Sequence, residues 1–249
     1  MMHTKLIDKT ELAPRLFLLR LQKPEGYAHK PGQFARLGLE ADGGEPIMRA
    51  YSIASAPNDP ELEFLITCVP GGALSPRLVQ LEPGSEILID DAAEGSLLPS
   101  RIPGGRTLWL MATGSGLSPF LAMIRAGEIF EHWERVFLVL GTRTLADASA
   151  ALQAARAARD AGRNLRLSLC ISREKEGLPA EALAMRITEA LTSGELERLA
   201  GEPFSPESSR VLLCGNPAFV AEARARFKAL GIVSPRFGRP GQLVAENFW

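Results

Sequence analysis

The chain has 249 residues, 46% apolar and 23% charged, a balance that supports a packed core and excludes a disordered or low-complexity chain. At roughly 150 residues per domain, the length corresponds to about 1.7 domains, so two modest domains or one large one are the options. The formal net charge of −1 excludes a globally basic nucleic-acid binder. Residues 1–100 carry 9 Lys/Arg against 14 Asp/Glu, whereas residues 101–249 carry 19 against 15, so an anionic ligand is expected in the second part.

The N-terminus meets Asp8 before any apolar run and reads as lacking a signal peptide. The longest uncharged stretch, 107–124, holds glycines, serines, threonines and a proline, and reads as strand, loop and helix rather than a membrane span. Cys68, Cys170 and Cys214 lie far apart without a C-x-x-C pair, and His3, His29 and His132 are equally scattered. Neither a disulfide framework nor a four-cysteine cluster is expected, which points to a metal-free protein of a reducing compartment, the cytoplasm.

Apolar and β-branched runs at 16–21, 33–39, 47–54, 62–69 and 86–90 predict short strands. Pro- and Gly-rich joints between them indicate an antiparallel barrel or sandwich, with one short helix over 74–81. On the 47–54 strand, alternation puts Arg49 and Tyr51 on one face and Ser52 on the other, with Ala50 between. That pattern suits an exposed cross-strand pair as well as a ligand. Downstream, Gly71 and Gly72 followed by Ala73, Leu74, Ser75 and Pro76 offer a loop and a capped helix start, a possible phosphate cradle.

The Pro/Gly-rich segment 99–105 is the predicted boundary. Beyond it, strands at 107–112, 136–141, 165–171 and 210–214 alternate with helices at 119–127, 145–161, 179–192 and 217–230. Such alternation describes a parallel sheet covered on both faces, which binds ligands at the carboxyl ends of its strands. The first strand runs into Thr113, Gly114, Ser115, Gly116, Leu117, Ser118 and Pro119. Its glycines allow backbone to approach a phosphate, and Ser118-Pro119 reads as a cap and first-turn proline. Pro119 replaces the third glycine of a dinucleotide fingerprint, so a plain strand-to-helix turn is an equal reading.

Arg143 and Arg173 follow the second and third of these strands, and Arg186 is placed on the next helix. Basic residues at successive strand ends, with no acid ahead of them, fit the 2′-phosphate of NADP rather than the free ribose of NAD. Cys214, Gly215, Asn216 and Pro217 close the fourth strand, either as a buried thiol and turn or as a thiol beside a reacting ligand. The chain ends in Glu246, Asn247, Phe248 and Trp249, an aromatic end suited to core packing or to stacking on a flat cofactor.

Together these segments resemble the ferredoxin–NADP⁺ reductase superfamily, specifically its compact bacterial ferredoxin (flavodoxin)–NADP⁺ reductases. The resemblance rests on R-x-Y-S from Arg49, L-S-P-R-L from Leu74, T-G-x-G-x-x-P from Thr113, S-R-E from Ser172, C-G-N-P from Cys214 and the aromatic end. It implies an antiparallel FAD-binding β-barrel over 1–100, then an α/β parallel-sheet NADP-binding domain over 101–249 whose tail returns to the flavin. Arg49, Ala50, Tyr51, Ser52, Ala73, Leu74, Ser75, Thr113, Phe248 and Trp249 would contact FAD. Gly114, Gly116, Arg143, Ser172, Arg173, Arg186, Gly215 and Asn216 would contact NADP. Ser52, Cys214 and Glu246 would line the reacting neighbourhood, where a hydride passes from NADPH to flavin N5.

Ferredoxin or flavodoxin would be the partner of a monomeric chain, with Arg236 and Arg239 as candidate docking charges and neither nucleic acid nor membrane involved. Two alternatives stay open: a reductase serving an oxygenase, free flavin or ferric chelates, and a non-catalytic nucleotide-binding module.

Overall fold

The computed structural model describes all residues except Asp42, Phe237, Phe248 and Trp249. The amino-terminal part contains β1 (Met2–Ala13), β2 (Leu16–Gln22), β3 (Phe34–Ala41), β4 (Gly44–Ser52), β5 (Glu61–Thr67) and β6 (Glu86–Ile89), with a single helical turn α1 (Ser75–Leu78) before β6. The strands form one antiparallel sheet in the order β4-β3-β6-β1-β2-β5. An Ile53–Phe64 bridge, with Ala54 N–H donating to the Glu63 carbonyl at 2.7 Å, brings β5 to the end of β4 and closes the sheet into a barrel. Closure removes the unpaired edges that would otherwise invite association. Leu6, Leu19, Leu37, Ile53, Phe64 and Ile87 fill the interior.

The carboxyl-terminal part contains β7 (Thr107–Thr113), α2 (Ser118–Ala126), α3 (Ile129–His132), β8 (Arg135–Thr142), α4 (Ser149–Asp160), β9 (Leu165–Ile171), β10 (Ala182–Leu183), α5 (Ile187–Ser193), α6 (Glu195–Ala200), β11 (Ser209–Gly215), α7 (Pro217–Ala229) and β12 (Leu243–Asn247). All six strands pair in parallel, in the order β10-β9-β8-β7-β11-β12. Alternate side chains serve opposite faces, as strand geometry requires. Leu108, Leu110, Leu138 and Leu212 pack with α2 and α4, while Trp109, Met111, Phe137 and Leu213 pack with α5 and α7. The first of these cores also takes in Ala13, Leu16, Ala54, Leu65 and Leu97 of the barrel, so the two sheets share an apolar seam. Among the described residues no helix is long and apolar enough to cross a membrane.

Several expectations need correction. The 12-residue β1 has no continuous apolar run, and two register shifts break its alternation, which hides it from pattern reading. The helix expected over 74–81 is one turn, and that over 145–161 becomes a 3₁₀ turn at Ala146–Ala148 followed by α4. The helix expected over 179–192 begins only at Ile187, because Ala182 and Leu183 pair with Leu169 and Cys170 on the open edge of β9. Satisfying that edge outweighs local helix propensity. Arg186 is therefore not on a helix; it is the extended residue before α5, its N–H held by Glu189 at 3.0 Å. Strand β12 and helices α3 and α6 were also absent from the sequence reading.

The seam between the sheets is fastened by charge as well as apolar area. Arg125 on α2 pairs with Glu63 on β5 and donates to the Ala54 carbonyl at 3.3 Å. The buried Arg210 guanidinium donates to the carbonyls of Pro103 and Pro206 at 2.9 Å and of Ser209 at 2.7 Å, with Gly104 and Glu207 also in reach. It thereby joins the segment before β7 to the loop before β11. A Cβ on Gly105 would lie 2.8 Å from Arg210 Cγ, which explains the glycine there. Arg210→Met keeps the volume but leaves these carbonyls without a charged donor, and is expected to cost about 3 kcal/mol in urea unfolding.

Candidate functional site

The strand order reverses between β7 and β11: β8, β9 and β10 build outward on one side, and β12 on the other. Open parallel sheets bind ligands at such a switch point, beyond the carboxyl ends of the strands. The residues at those ends are Thr113, Gly114 and Gly116 after β7, and Cys214, Gly215 and Asn216 at β11.

The glycines there do different work. A Cβ on Gly215, at φ +143°, would lie 2.2 Å from Thr113 Oγ1, and a Cβ on Gly116 would lie 2.4 Å from the Cys214 carbonyl oxygen. These two are small because backbone packs on backbone. Gly114, at φ +54°, would carry its Cβ into open space and is needed for the left-handed turn itself. Asn216 N–H donates to Thr113 Oγ1 at 2.9 Å, while Asn216 Oδ1 caps α7 through Ala218 N–H at 2.8 Å. Ser118 is not the expected cap: it lies inside α2, and its hydroxyl donates back to the Ser115 carbonyl at 2.9 Å.

Ser52, Cys214 and Glu246 come together from three strands. Glu246 on β12 is the ladder partner of Cys214 on β11, which in turn pairs with Ala112. Ser52, at the end of β4, brings a buried hydroxyl beside the thiol. Burial pushes the Cys214 thiol well up, with the Glu246 carboxyl adding to the rise and Ser52 opposing it, so the group is a neutral thiol and not an activated nucleophile. Glu246 Oε1 accepts the Ser96 N–H at 2.8 Å and the Leu97 N–H at 3.1 Å. Among the described residues its Oε2 is buried without a hydrogen-bond partner. Burial raises this carboxyl above the ordinary carboxylate range, against the opposing pull of those two N–H groups and of Arg101. The Ser96, Leu97 and Arg101 contribution escaped the sequence reading, since nothing local ties residues about 150 positions apart.

Around this centre, Tyr51 is half-buried and its phenol is pushed up to about 12, mainly by burial, with the Arg49 charge opposing. Arg49 is exposed, and its guanidinium donates to the Met48 carbonyl at 2.8 Å. Ala50 lies between them on β4. Ala73 is exposed, whereas the Leu74 side chain enters the barrel core. Ser75 is buried, and its hydroxyl accepts the Val69 N–H at 3.0 Å, fastening the loop rather than capping α1. Arg143, Ser172, Arg173 and Arg186 are all exposed, and among the described residues none of the three arginines forms an ion pair. Phe248 and Trp249 lie outside the described residues. A separate cavity of about 660 Å³, lined by His29, Leu98, Met123 and Trp133, includes none of these residues.

The buried Ser52 hydroxyl, the Glu246 Oε2 left without a hydrogen-bond partner among the described residues, the open Gly114 turn and the exposed Arg49 fit a flavin dinucleotide. Comparison with known proteins agrees. Residues 3–93 match the oxidoreductase FAD-binding domain, and residues 110–225 match the oxidoreductase NAD-binding domain. The chain is 37% identical over 219 residues to the flavodoxin/ferredoxin–NADP reductase of Escherichia coli, covering 88% of this chain and 87% of that protein. It is 33% identical over 244 residues to the ferredoxin–NADP reductase of Pseudomonas aeruginosa, covering 93% and 91%. The structure superposes with a TM-score of 0.92 and 30% identity on a ferredoxin NADP⁺ reductase from Neisseria gonorrhoeae with bound FAD and NADP, covering 99% and 98% of the two chains.

Fold and site thus define an FAD- and NADP-dependent oxidoreductase. Within that class the chain belongs to the ferredoxin/flavodoxin–NADP reductase family.

Proposed function

We propose that the protein passes electrons between NADPH and ferredoxin or flavodoxin, with FAD held by residues 1–100 and NADP by residues 101–249. The carboxyl-terminal tail would return to the flavin. The observation that carries this reading is the meeting of Ser52, Cys214 and Glu246 at the switch point of the sheet, with exposed arginines on the loops that follow β8 and β9.

Bound FAD supplies the exchange between a hydride and single electrons. Arg49 would neutralise its pyrophosphate, Tyr51 would form a wall of its ring site, and the backbone at Ala50, Ala73 and Leu74 with Ser75 would hold the phosphates. Thr113 would approach from β7, and Phe248 and Trp249, which lie outside the described residues, are the aromatic cover that the resemblance implies. Gly114 and Gly116 shape the loop over the nicotinamide nucleotide, with Gly215 and Asn216 holding its other side. Arg143, Ser172, Arg173 and Arg186 take the 2′-phosphate. Ser52 would offer its hydroxyl to the reacting edge, Cys214 would give an uncharged contact, and Glu246, its carboxyl raised by burial, would stand beside them.

The exposed Arg236 and Arg239, whose backbones bond to each other at 2.8 and 3.2 Å, present two cations together toward an acidic carrier. A monomer in the cytoplasm completes the reading. The test is steady-state reduction by NADPH, with ferredoxin, flavodoxin, free flavin and ferric chelate compared as acceptors. Preference for either protein carrier supports the proposal; preference for free flavin or chelate favours the alternative reductase.

The raised carboxyl makes a second test available. A carboxyl whose pKa rises on folding removes stability as pH climbs from its unfolded value through its folded one. Glu246→Gln keeps an oxygen for Ser96 and Leu97. It is expected to melt with the parent in acid and above it at neutral pH, while turnover falls roughly 10²-fold. Thermal melts at the two pH values and steady-state assays check both parts.

A further inference from the structure

Arg143 and Arg173 stand on loops that are bound to each other, and one side chain in that bracket has no role so far. Arg173 N–H donates to the Arg143 carbonyl at 2.9 Å, and Ser172 donates to the Thr142 carbonyl through both N–H and Oγ at 3.1 Å. Glu174, the next residue, turns back and accepts the Leu145 N–H on Oε2 at 2.6 Å. Asp147 closes the other end, accepting from Thr144 N–H and Oγ1 at 3.0 Å each. Residues 142–147 and 172–174 therefore form one unit spanning the ends of β8 and β9.

A carboxylate next to an arginine meant for a dianion weakens the local positive field, which makes its presence informative. Its oxygen is spent on a charge-assisted bond to a backbone N–H, the stronger kind of hydrogen bond. That bond fixes the loop carrying Arg143 before any ligand arrives, so less ordering remains to be done on binding. We propose that Glu174 is a positioning residue for 2′-phosphate selectivity, holding the Arg143 loop against the Arg173 loop so that both guanidinium groups converge on one anion. This rests on the reading of Arg143 and Arg173 as ligands of the 2′-phosphate.

The test is calorimetric binding of adenosine 2′,5′-bisphosphate and of 5′-AMP to the FAD-loaded protein, for Glu174→Ala, Glu174→Gln and Arg173→Ala. Loss of the bond in Glu174→Ala is expected to weaken bisphosphate binding about 10-fold, while Glu174→Gln, which keeps an acceptor oxygen, stays within about twofold of the parent. Binding of 5′-AMP should be unchanged in both. In steady state, KM for NADPH should rise in Glu174→Ala with kcat and the KM for NADH unaltered. Equal or tighter bisphosphate binding by Glu174→Ala would overturn the proposal, since repulsion would then outweigh positioning. So would equal weakening of both ligands, or a Glu174→Gln loss as large as that of Glu174→Ala. If Arg173→Ala alone discriminates the two ligands, only the Glu174 role falls; if it does not discriminate them, the 2′-phosphate reading falls as well.

Discussion

Replacing Arg143 and Arg173 together by alanine is expected to raise the KM for NADPH about 10³-fold, with kcat and the KM for NADH little changed. Each guanidinium facing a phosphate contributes roughly 1.5–3 kcal/mol, and each tenfold change in affinity corresponds to about 1.4 kcal/mol. Both side chains are exposed and make no ion pair among the described residues, so their removal leaves no buried charge behind and should not disturb the fold. The loss therefore belongs to ligand binding. Steady-state kinetics with both nicotinamide nucleotides read it directly. Equal losses for NADPH and NADH would remove the 2′-phosphate assignment.

The second large effect is expected from Gly215→Val, which should cost about 4 kcal/mol through backbone strain together with overpacking. A side chain at φ +143° is strained whatever the space, and here its Cβ would fall within 2.9 Å of Thr113 N and O and nearer still to Oγ1. Relief requires the ends of β7 and β11 to separate. That parts Thr113 from Asn216 and moves Cys214 away from Ser52, so flavin retention should fall along with stability. Gly114→Ala supplies the contrast: nothing lies near its Cβ, and only the left-handed turn is penalised, by about 1 kcal/mol. Urea unfolding and the flavin content of the purified variants distinguish the two. Similar behaviour at both positions would contradict the assigned roles.

Much of the architecture is legible in the sequence because its signals are local. Pro- and Gly-punctuated short strands mark the barrel, and the alternation after residue 105 marks the parallel sheet, including β7 to within one residue of its end and α7 from Pro217. What escaped reading depends on distant partners. Strand β1 is polar at most positions because only Thr4, Leu6 and Ala13 of it are buried. The short β10 exists because β9 has an open edge, and that edge moves Arg186 off the helix. The hydroxyls of Ser75 and Ser118 look like helix caps in sequence, yet tertiary and loop contacts engage both.

The same division holds at the site. Ser52, Cys214 and Glu246 are each recognisable from flanking motifs or position, but their meeting is a property of the sheet order. Glu246 reaches the loop after β6 because β12 lies beside β11, and no pattern near residue 246 announces the Ser96 and Leu97 N–H groups that receive it. Gly116 reads as phosphate-facing in sequence and Gly215 as part of a turn beside a ligand, whereas the folded chain uses both for close backbone approach. Residues whose chemistry faces a ligand and residues that shape the ground beneath it look alike until the strands are assembled.

The most direct measurement is anaerobic mixing of the FAD-loaded protein with NADPH or NADH, followed by addition of oxidised ferredoxin or flavodoxin, with flavin absorbance followed throughout. NADPH is expected to bleach the flavin about 10³-fold faster than NADH at equal low concentration, and the carrier to restore the colour. A flavin that NADPH leaves oxidised, or a reduced flavin that neither carrier reoxidises, would contradict an NADPH-to-carrier reductase.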